Sequence, residues 1–265
     1  MSKAIGVFDS GVGGLTVVKE LIRQLPSEDI VYFGDTARVP YGVKSRETVI
    51  RFSIENMLFL LEQDVKLICV ACNTVSSLAL PIIRNYFKVP IVGVITPGAM
   101  KAVYATRNKR IGVIGTRSTI RSRAYEQEIK RLDPAISVKT AACALFVPFA
   151  EEGFTFGKAV SEVAAHYLKP LKAAGVDTVI LGCTHYPLLK PVIKEAMGGH
   201  ATLIDSAKEV ALEVKEILSR EGLLSRITSR GRQRFYVSDN PEWFSSLARR
   251  FLGRAISDAK KVNHV

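Results

Sequence analysis

Apolar residues along this chain gather in blocks of five to seven, and the stretches between them carry apolar positions at helical rather than alternating spacing. The blocks AIGVF (4–8), DIVYF (29–33), KLICVA (66–71), PIVGVI (90–95), RIGVIG (110–115), SVKTAAC (137–143), DTVILG (177–182) and ATLID (201–205) predict strands. Amphipathic stretches at 45–63, 158–174 and 206–221 predict helices between them. Strands with near-continuous apolar runs have both faces covered, a condition met by parallel sheets flanked by helices. The fold class is therefore α/β.

The pattern repeats. VKLICVACNTVSSLALPIIRNYF (65–87) and VDTVILGCTHYPLLKPVIKEAM (176–197) share a strand, a Cys just past its end, a Thr within two residues and a Pro-bearing helical segment. The strands opening each half also match, IGVFDSG (5–11) with IGVIGTR (111–117), and the distances from Ile5 to Cys72 and from Ile111 to Cys183 are 67 and 72 residues. Two like-folded halves follow, related by pseudo-twofold symmetry. The division expected is 1–95 with a return segment 207–265 as one domain, carrying Cys72, and 96–206 as the other, carrying Cys183. Ligands of open α/β sheets bind at the carboxyl ends of strands. Two such halves facing each other would set the two thiols on opposite walls of one cleft.

Composition narrows the class without changing the fold. At 265 residues and 48% apolar content, the chain can bury one large core or two modest ones. The start, MSKAIGVFDSGVGG, meets an acidic, Gly-rich turn before an apolar stretch reaches signal-peptide length, and no run approaches the roughly 18 residues of a membrane span. A soluble, cytoplasmic protein with no membrane partner is expected. Cys69, Cys72, Cys143 and Cys183 are too few and too scattered for a disulfide framework and read as reduced thiols. The net charge is +12, and from Ser219 onward ten Lys or Arg face four Asp or Glu, so half of the excess lies in the last 47 residues. That locates it on a solvated basic tail rather than in a cleft, and nucleic acid is not expected as a partner. The positive field still favours approach of an acidic small molecule.

Either Cys alone would read as a small buried hydrophobe. Their recurrence at equivalent positions, each followed by polar side chains unsuited to a core, favours chemistry. Inverting a carbon centre needs one group to remove a proton from one face and another to deliver a proton to the opposite face. A thiol with a pKa of about 8.5 is only a few per cent thiolate at pH 7, so a base thiol profits from a helix N-terminus or a nearby proton acceptor. Each Cys stands where a strand turns into a helical segment, and His185 and Asp9 are the candidate acceptors. The plain alternatives are a packed histidine and a helix N-cap before GVGG.

Other motifs are read more modestly. DSGVGG (9–14) follows a strand and precedes a helix, but its spacing matches neither dinucleotide nor Walker phosphate loops. It reads as a tight turn whose backbone N–H groups and Ser10 hydroxyl could hold a carboxylate. VPYGVKS (39–45) reads as a loop closing over substrate, with Gly42 permitting close backbone approach and Tyr41 offering a hydroxyl. Cys69 and Cys72 point to opposite faces of a strand, and Cys143 ends a strand without polar companions, so no metal site is expected.

Taken together, DSG (9–11), VPYG (39–42), ACNT (71–74), GT..T (115–119), EEG (151–153) and GCTHYPLL (182–189) resemble, in order over about the first 205 residues, the bacterial glutamate racemases. The resemblance implies a cofactor-independent enzyme interconverting L- and D-glutamate, the latter feeding peptidoglycan synthesis, and often a homodimer. It implies that Cys72 and Cys183 are the acid/base thiols, the first acting on the D and the second on the L enantiomer. Asp9, Ser10, Tyr41, Gly42, Asn73, Thr74, Thr116, Thr119, Thr184 and His185 match the substrate pocket or its support, and Glu151 a carboxylate near the second thiol. Ala144 departs from the pattern, which has Pro before LFVP.

A pyridoxal Schiff base is the usual route to an α-carbanion; two opposed thiols make it unnecessary. Two other readings stand beside the racemase. A two-domain binding protein for an acidic metabolite would use the same cleft without needing the thiols. An aspartate or hydantoin racemase of related architecture would differ in its substrate panel.

Overall fold

The computed structural model describes residues 3–256 and 258–263. Among the described residues, ten strands form two sheets: β1 (Ala4–Asp9), β2 (Ile30–Gly34), β3 (Val65–Val70), β4 (Ile91–Gly93), β5 (Arg110–Gly115), β6 (Ser137–Ala142), β7 (Thr178–Gly182), β8 (Thr202–Asp205), β9 (Gln233–Val237) and β10 (Ala259–Lys261). The first sheet has the order β10-β9-β2-β1-β3-β4 and the second β6-β5-β7-β8. Every pairing is parallel. The order β2-β1-β3-β4 recurs as β6-β5-β7-β8, so the matched openers and matched thiol-bearing strands occupy the same places in their sheets.

The helices are α1 (Leu15–Gln24), α2 (Arg46–Glu62), α3 (Asn73–Leu78), α4 (Leu80–Ile83), α5 (Ile95–Ala105), α6 (Arg117–Ser122), α7 (Ala124–Leu132), α8 (Phe146–Glu152), α9 (Lys158–Ala173), α10 (Lys190–Ala196), α11 (Ser206–Arg220) and α12 (Pro241–Leu252). They cover both faces of each sheet, which is why the strands needed no alternation. In β1, Ile5 and Val7 pack with Leu15, Val18 and Leu21 of α1 and Val210 and Val214 of α11. Ala4 and Phe8 point the other way, to Phe52, Met57 and Leu60 of α2 and Val75 of α3. The second sheet divides alike: Ile111, Val113 and Ile180 meet Ala99 and Ile129, while Ile114, Val179 and Leu181 meet Phe146, Leu168 and Ile193.

Two sequence expectations need correction. The block at 90–95 is a strand only over Ile91–Gly93, because the chain already turns into α5 at Ile95. More consequentially, the basic C-terminal stretch is not a surface tail. β9 pairs with β2, β10 pairs with β9, and α12 buries Phe244, Leu247, Ala248, Phe251 and Leu252 in the core shared with α1 and α11. The charges ride on the outer face while the apolar side of the same segment is integral. Its connection is anchored by a buried ion pair: Lys66 Nζ lies 2.5 Å from Glu28 Oε2 and donates to Leu223 O, and Ser225 N–H donates to Glu28 Oε1. Among the described residues, no helix is long and apolar enough to cross a membrane.

Candidate active site

In the first sheet β2 and β3 flank β1, and in the second β6 and β7 flank β5, so each sheet reverses its winding beside its opening strand. Such a switch point leaves a crevice at the carboxyl ends of the strands. Asp9 and Ser10 end β1 and Cys72 follows β3; Thr116 follows β5 and Cys183 follows β7. A pocket of about 320 Å³ joins the two crevices and is lined by both Cys72 and Cys183. Ser10, Tyr41, Gly42, Asn73 and Thr74 reach it from one side, and Thr116, Glu151, Thr184 and His185 from the other. Asp9 and Thr119 are buried behind this wall rather than in it.

The two thiols have different partners. Cys183 Sγ lies 3.7 Å from His185 Nδ1, and His185 Nε2 lies 2.8 Å from Glu151 Oε1. A carboxylate can only accept, so Nε2 carries its proton toward Glu151, and Nδ1 is left to accept from a thiol or, when protonated, to donate to a thiolate. Burial alone would lower the His185 pKa, but the bonds to Cys183 and Glu151 outweigh it and push it up to about 10. An imidazolium is thereby a ready counter-ion for a Cys183 thiolate. Turn residues 183–185 lead into a 3-10 segment (Tyr186–Leu189) before α10, so the counter-charge here comes from a side chain rather than from an α-helix terminus.

Cys72 is the N-cap residue of α3 and donates to Ser10 Oγ at 3.6 Å. Burial, together with the negative charge of Asp9, pushes its thiol up to about 12, against the lowering effect of the Val75 N–H and Ser10. Asp9 itself is raised by its complete burial, opposed by the charge of His185 and by bonds from Gly14 and Gly11. Its Oδ2 accepts the N–H groups of Gly11 and Gly14. The N–H groups of Gly11 and Gly14 are therefore taken by the protein's own Asp9, while Ser10 and Gly11 stand in the pocket wall. The turn's glycines also serve contact: a Cβ on Gly13 would sit 2.3 Å from Thr184 Oγ1 and 2.5 Å from the His185 ring.

The model of Asp/Glu/Hydantoin racemases matches residues 5–214. The chain belongs to that family. Among its relatives is a glutamate racemase from Geobacter metallireducens, 54% identical over 98% of this chain and 97% of the relative. The solved glutamate racemase isoform RacE1 of Bacillus anthracis superposes with a TM-score of 0.95 at 41% identity, covering 98% of this chain and 97% of that one. The Francisella tularensis glutamate racemase, solved with D-glutamate, gives 0.93 at 41% identity, covering 99% and 98%. The protein is accordingly an amino-acid racemase, and its two α/β sheets are those of its family.

The rest of this racemase's pocket shows what the resemblance did and did not locate. Tyr41 donates its hydroxyl to Asp35 and accepts from Asn56 Nδ2 at 3.1 Å, so that hydroxyl is committed within its own half. Gly42 permits close approach to Thr116: a Cβ would fall 2.9 Å from the Thr116 Cβ, and Ser118 Oγ donates to Gly42 O. Thr116 caps α6 and, with Thr74 and Thr119, forms a hydroxyl cluster spanning the two halves, with 3.0 Å between Thr74 and Thr116. Gly11, Val39, Pro40, Val43, Arg117, Val147 and Pro148 also line the pocket and were not predicted as site residues. Gly11, Val39 and Pro40 lay in motifs already noticed, and Arg117 sat between two chosen threonines; Val147 and Pro148 carried no polar signal. Ala144, the departure from the family pattern, is in the wall as well. Cys69 and Cys143 are buried elsewhere, and no group of three or more metal-binding side chains occurs among the described residues.

Proposed function

We propose that this racemase interconverts L- and D-glutamate by moving a proton between the substrate α-carbon and two thiols. Cys183, as a thiolate beside the His185 imidazolium, takes the α-proton of L-glutamate; the C–H bond breaks, an S–H bond forms, and the electron pair stays on carbon. Cys72, held protonated by burial and by Asp9, delivers its proton to the opposite face. The thiols have then exchanged protonation states and stand ready for the reverse reaction from D-glutamate. The observation that carries this reading is that two thiols at equivalent strand ends of two like sheets line one pocket. The choice of glutamate is supported by the names of the full-length relatives, and the donors Ser10, Asn73, Thr74, Thr116 and Thr184, with Arg117, suit a dicarboxylate.

In this reading Asp9, His185 and Glu151 assist proton transfer, while Tyr41, Gly42 and Thr119 support the wall. No metal or pyridoxal takes part. The working units are 1–95 with 207–265 and 96–206, a division supported by sheet membership. The protein acts in the cytoplasm as a homodimer and supplies D-glutamate for peptidoglycan.

The test is loss of optical rotation from pure L-glutamate incubated with metal-free, pyridoxal-free protein. Racemisation is expected, with aspartate and glutamine turned over far more slowly. Equal rates on all three would overturn the substrate assignment.

A further inference from the structure

One buried side chain at the pocket is fixed from the opposite half of the molecule. Asn73, on α3, is 2% exposed and lines the pocket. Its Oδ1 accepts a 2.8 Å hydrogen bond from the hydroxyl of Tyr125, on α7. Its Nδ2 is buried and meets no protein acceptor. An amide left so must find its acceptor in a ligand or solvent, because an unpaired buried donor costs about 1–3 kcal/mol.

Which way the amide faces depends on the single phenolic proton. Tyr125 is itself 2% exposed, and the carbonyl of Val94 is 3.5 Å away, at the limit of a hydrogen bond, whereas Asn73 Oδ1 is well within it. The proton therefore goes to Asn73, which fixes the amide with oxygen toward Tyr125 and leaves the NH2 as the free end.

We infer that Tyr125 is a positioning residue for substrate binding: its hydroxyl holds the Asn73 amide so that the NH2 group donates to a substrate carboxylate in the pocket. Phenylalanine at this place would leave the amide free to turn its oxygen, an acceptor, toward that carboxylate. Because Tyr125 and Asn73 lie on different sheets' helices, the bond also ties recognition to the approach of the two halves. The inference rests on the reading that this pocket takes the amino-acid substrate.

The experiment is a double-mutant cycle on KM and kcat with Tyr125→Phe, Asn73→Ala and the pair, all checked for an unchanged thermal midpoint of the Asn73→Ala background. Asn73→Ala should raise KM on the order of tenfold or more, the size of a hydrogen bond to a charged group, and Tyr125→Phe roughly fivefold, with kcat changed less than KM in each. In the Asn73→Ala background, Tyr125→Phe should add nothing to KM. If Asn73→Ala leaves KM unchanged, the pocket assignment itself is wrong. If Asn73→Ala raises KM while Tyr125→Phe does not, or if the Tyr125→Phe effect persists in full in the absence of Asn73, the positioning role is overturned and the pocket assignment stands.

Discussion

In the proposed mechanism His185 serves as counter-ion to a thiolate only while it holds its proton, and its raised pKa extends that condition to about pH 10. The same shift has a stability consequence. A histidine whose pKa rises from 6.5 to about 10 on folding stabilises the native state fully below pH 6.5, and that contribution is lost as pH climbs to about 10. The thermal midpoint of the wild type should therefore fall more steeply across this window than that of His185→Gln; parallel curves would show that the Cys183 and Glu151 contacts do not hold the proton. In kinetics, Asp9→Asn and His185→Asn should lower kcat on the order of a hundredfold and KM little if, as proposed, they tune proton transfer. A raised KM with unchanged kcat would make them binding residues. His185 and Asp9 were legible because each stands within a motif next to its thiol or strand end. The linkage to Glu151, 34 residues away, was implied only by the resemblance, and its route through His185 came from packing.

At the scale of elements, β1, β3, β5 and β7 were readable from apolar runs because parallel strands covered on both faces need little else. The C-terminal elements had signals that the charge count obscured. Phe235 and Val237 alternate with Arg234 and Tyr236 as a strand whose two faces differ, and Phe244, Leu247, Ala248 and Phe251 fall at helical spacing. Asn240 caps α12 by accepting from Trp243 N–H. This helix also reaches the site: the Phe251 ring lies edge-on to His185, 5.2 Å between centroids, and Arg250 donates to Glu151 O. Phe244→Ala should destabilise the protein by about 3–5 kcal/mol, as for other buried aromatic truncations. A loss below about 1 kcal/mol in denaturant unfolding would mean that the segment is the detachable tail its charge suggested.

Across the whole molecule, the proposed reaction depends on two sheets presenting equivalent ends to one another. The halves are held in that relation by reciprocal bonds, among them Thr16 Oγ1 to Thr184 O at 3.1 Å and Ser118 Oγ to Gly42 O at 2.7 Å. The two-thiol scheme is testable at this scale. Cys72→Ala and Cys183→Ala should each abolish racemisation in both directions, because each removes the acid for one face and the base for the other. In deuterated water the surviving thiol should give slow exchange without inversion, of L-glutamate in Cys72→Ala and of D-glutamate in Cys183→Ala, followed by proton NMR. Full racemisation in either variant would overturn the scheme, since one base on one face cannot invert a carbon held in a fixed orientation.

The sequence by itself determined the α/β class, the internal duplication and the two thiols at matched strand ends. All three follow from local patterns: apolar runs, their order, and the residues directly after them. Only the tertiary structure decided what each thiol faces. Cys72 meets Ser10 and the charge of Asp9 because β1 and β3 are neighbours, and Cys183 reaches Glu151 through His185 because α8 packs beside the turn after β7. Asn73 is oriented by Tyr125 from the other half. Hydrogen bonds and charge interactions act over a few ångströms in space, and the order in which strands enter a sheet, not their order along the chain, sets which residues come that close.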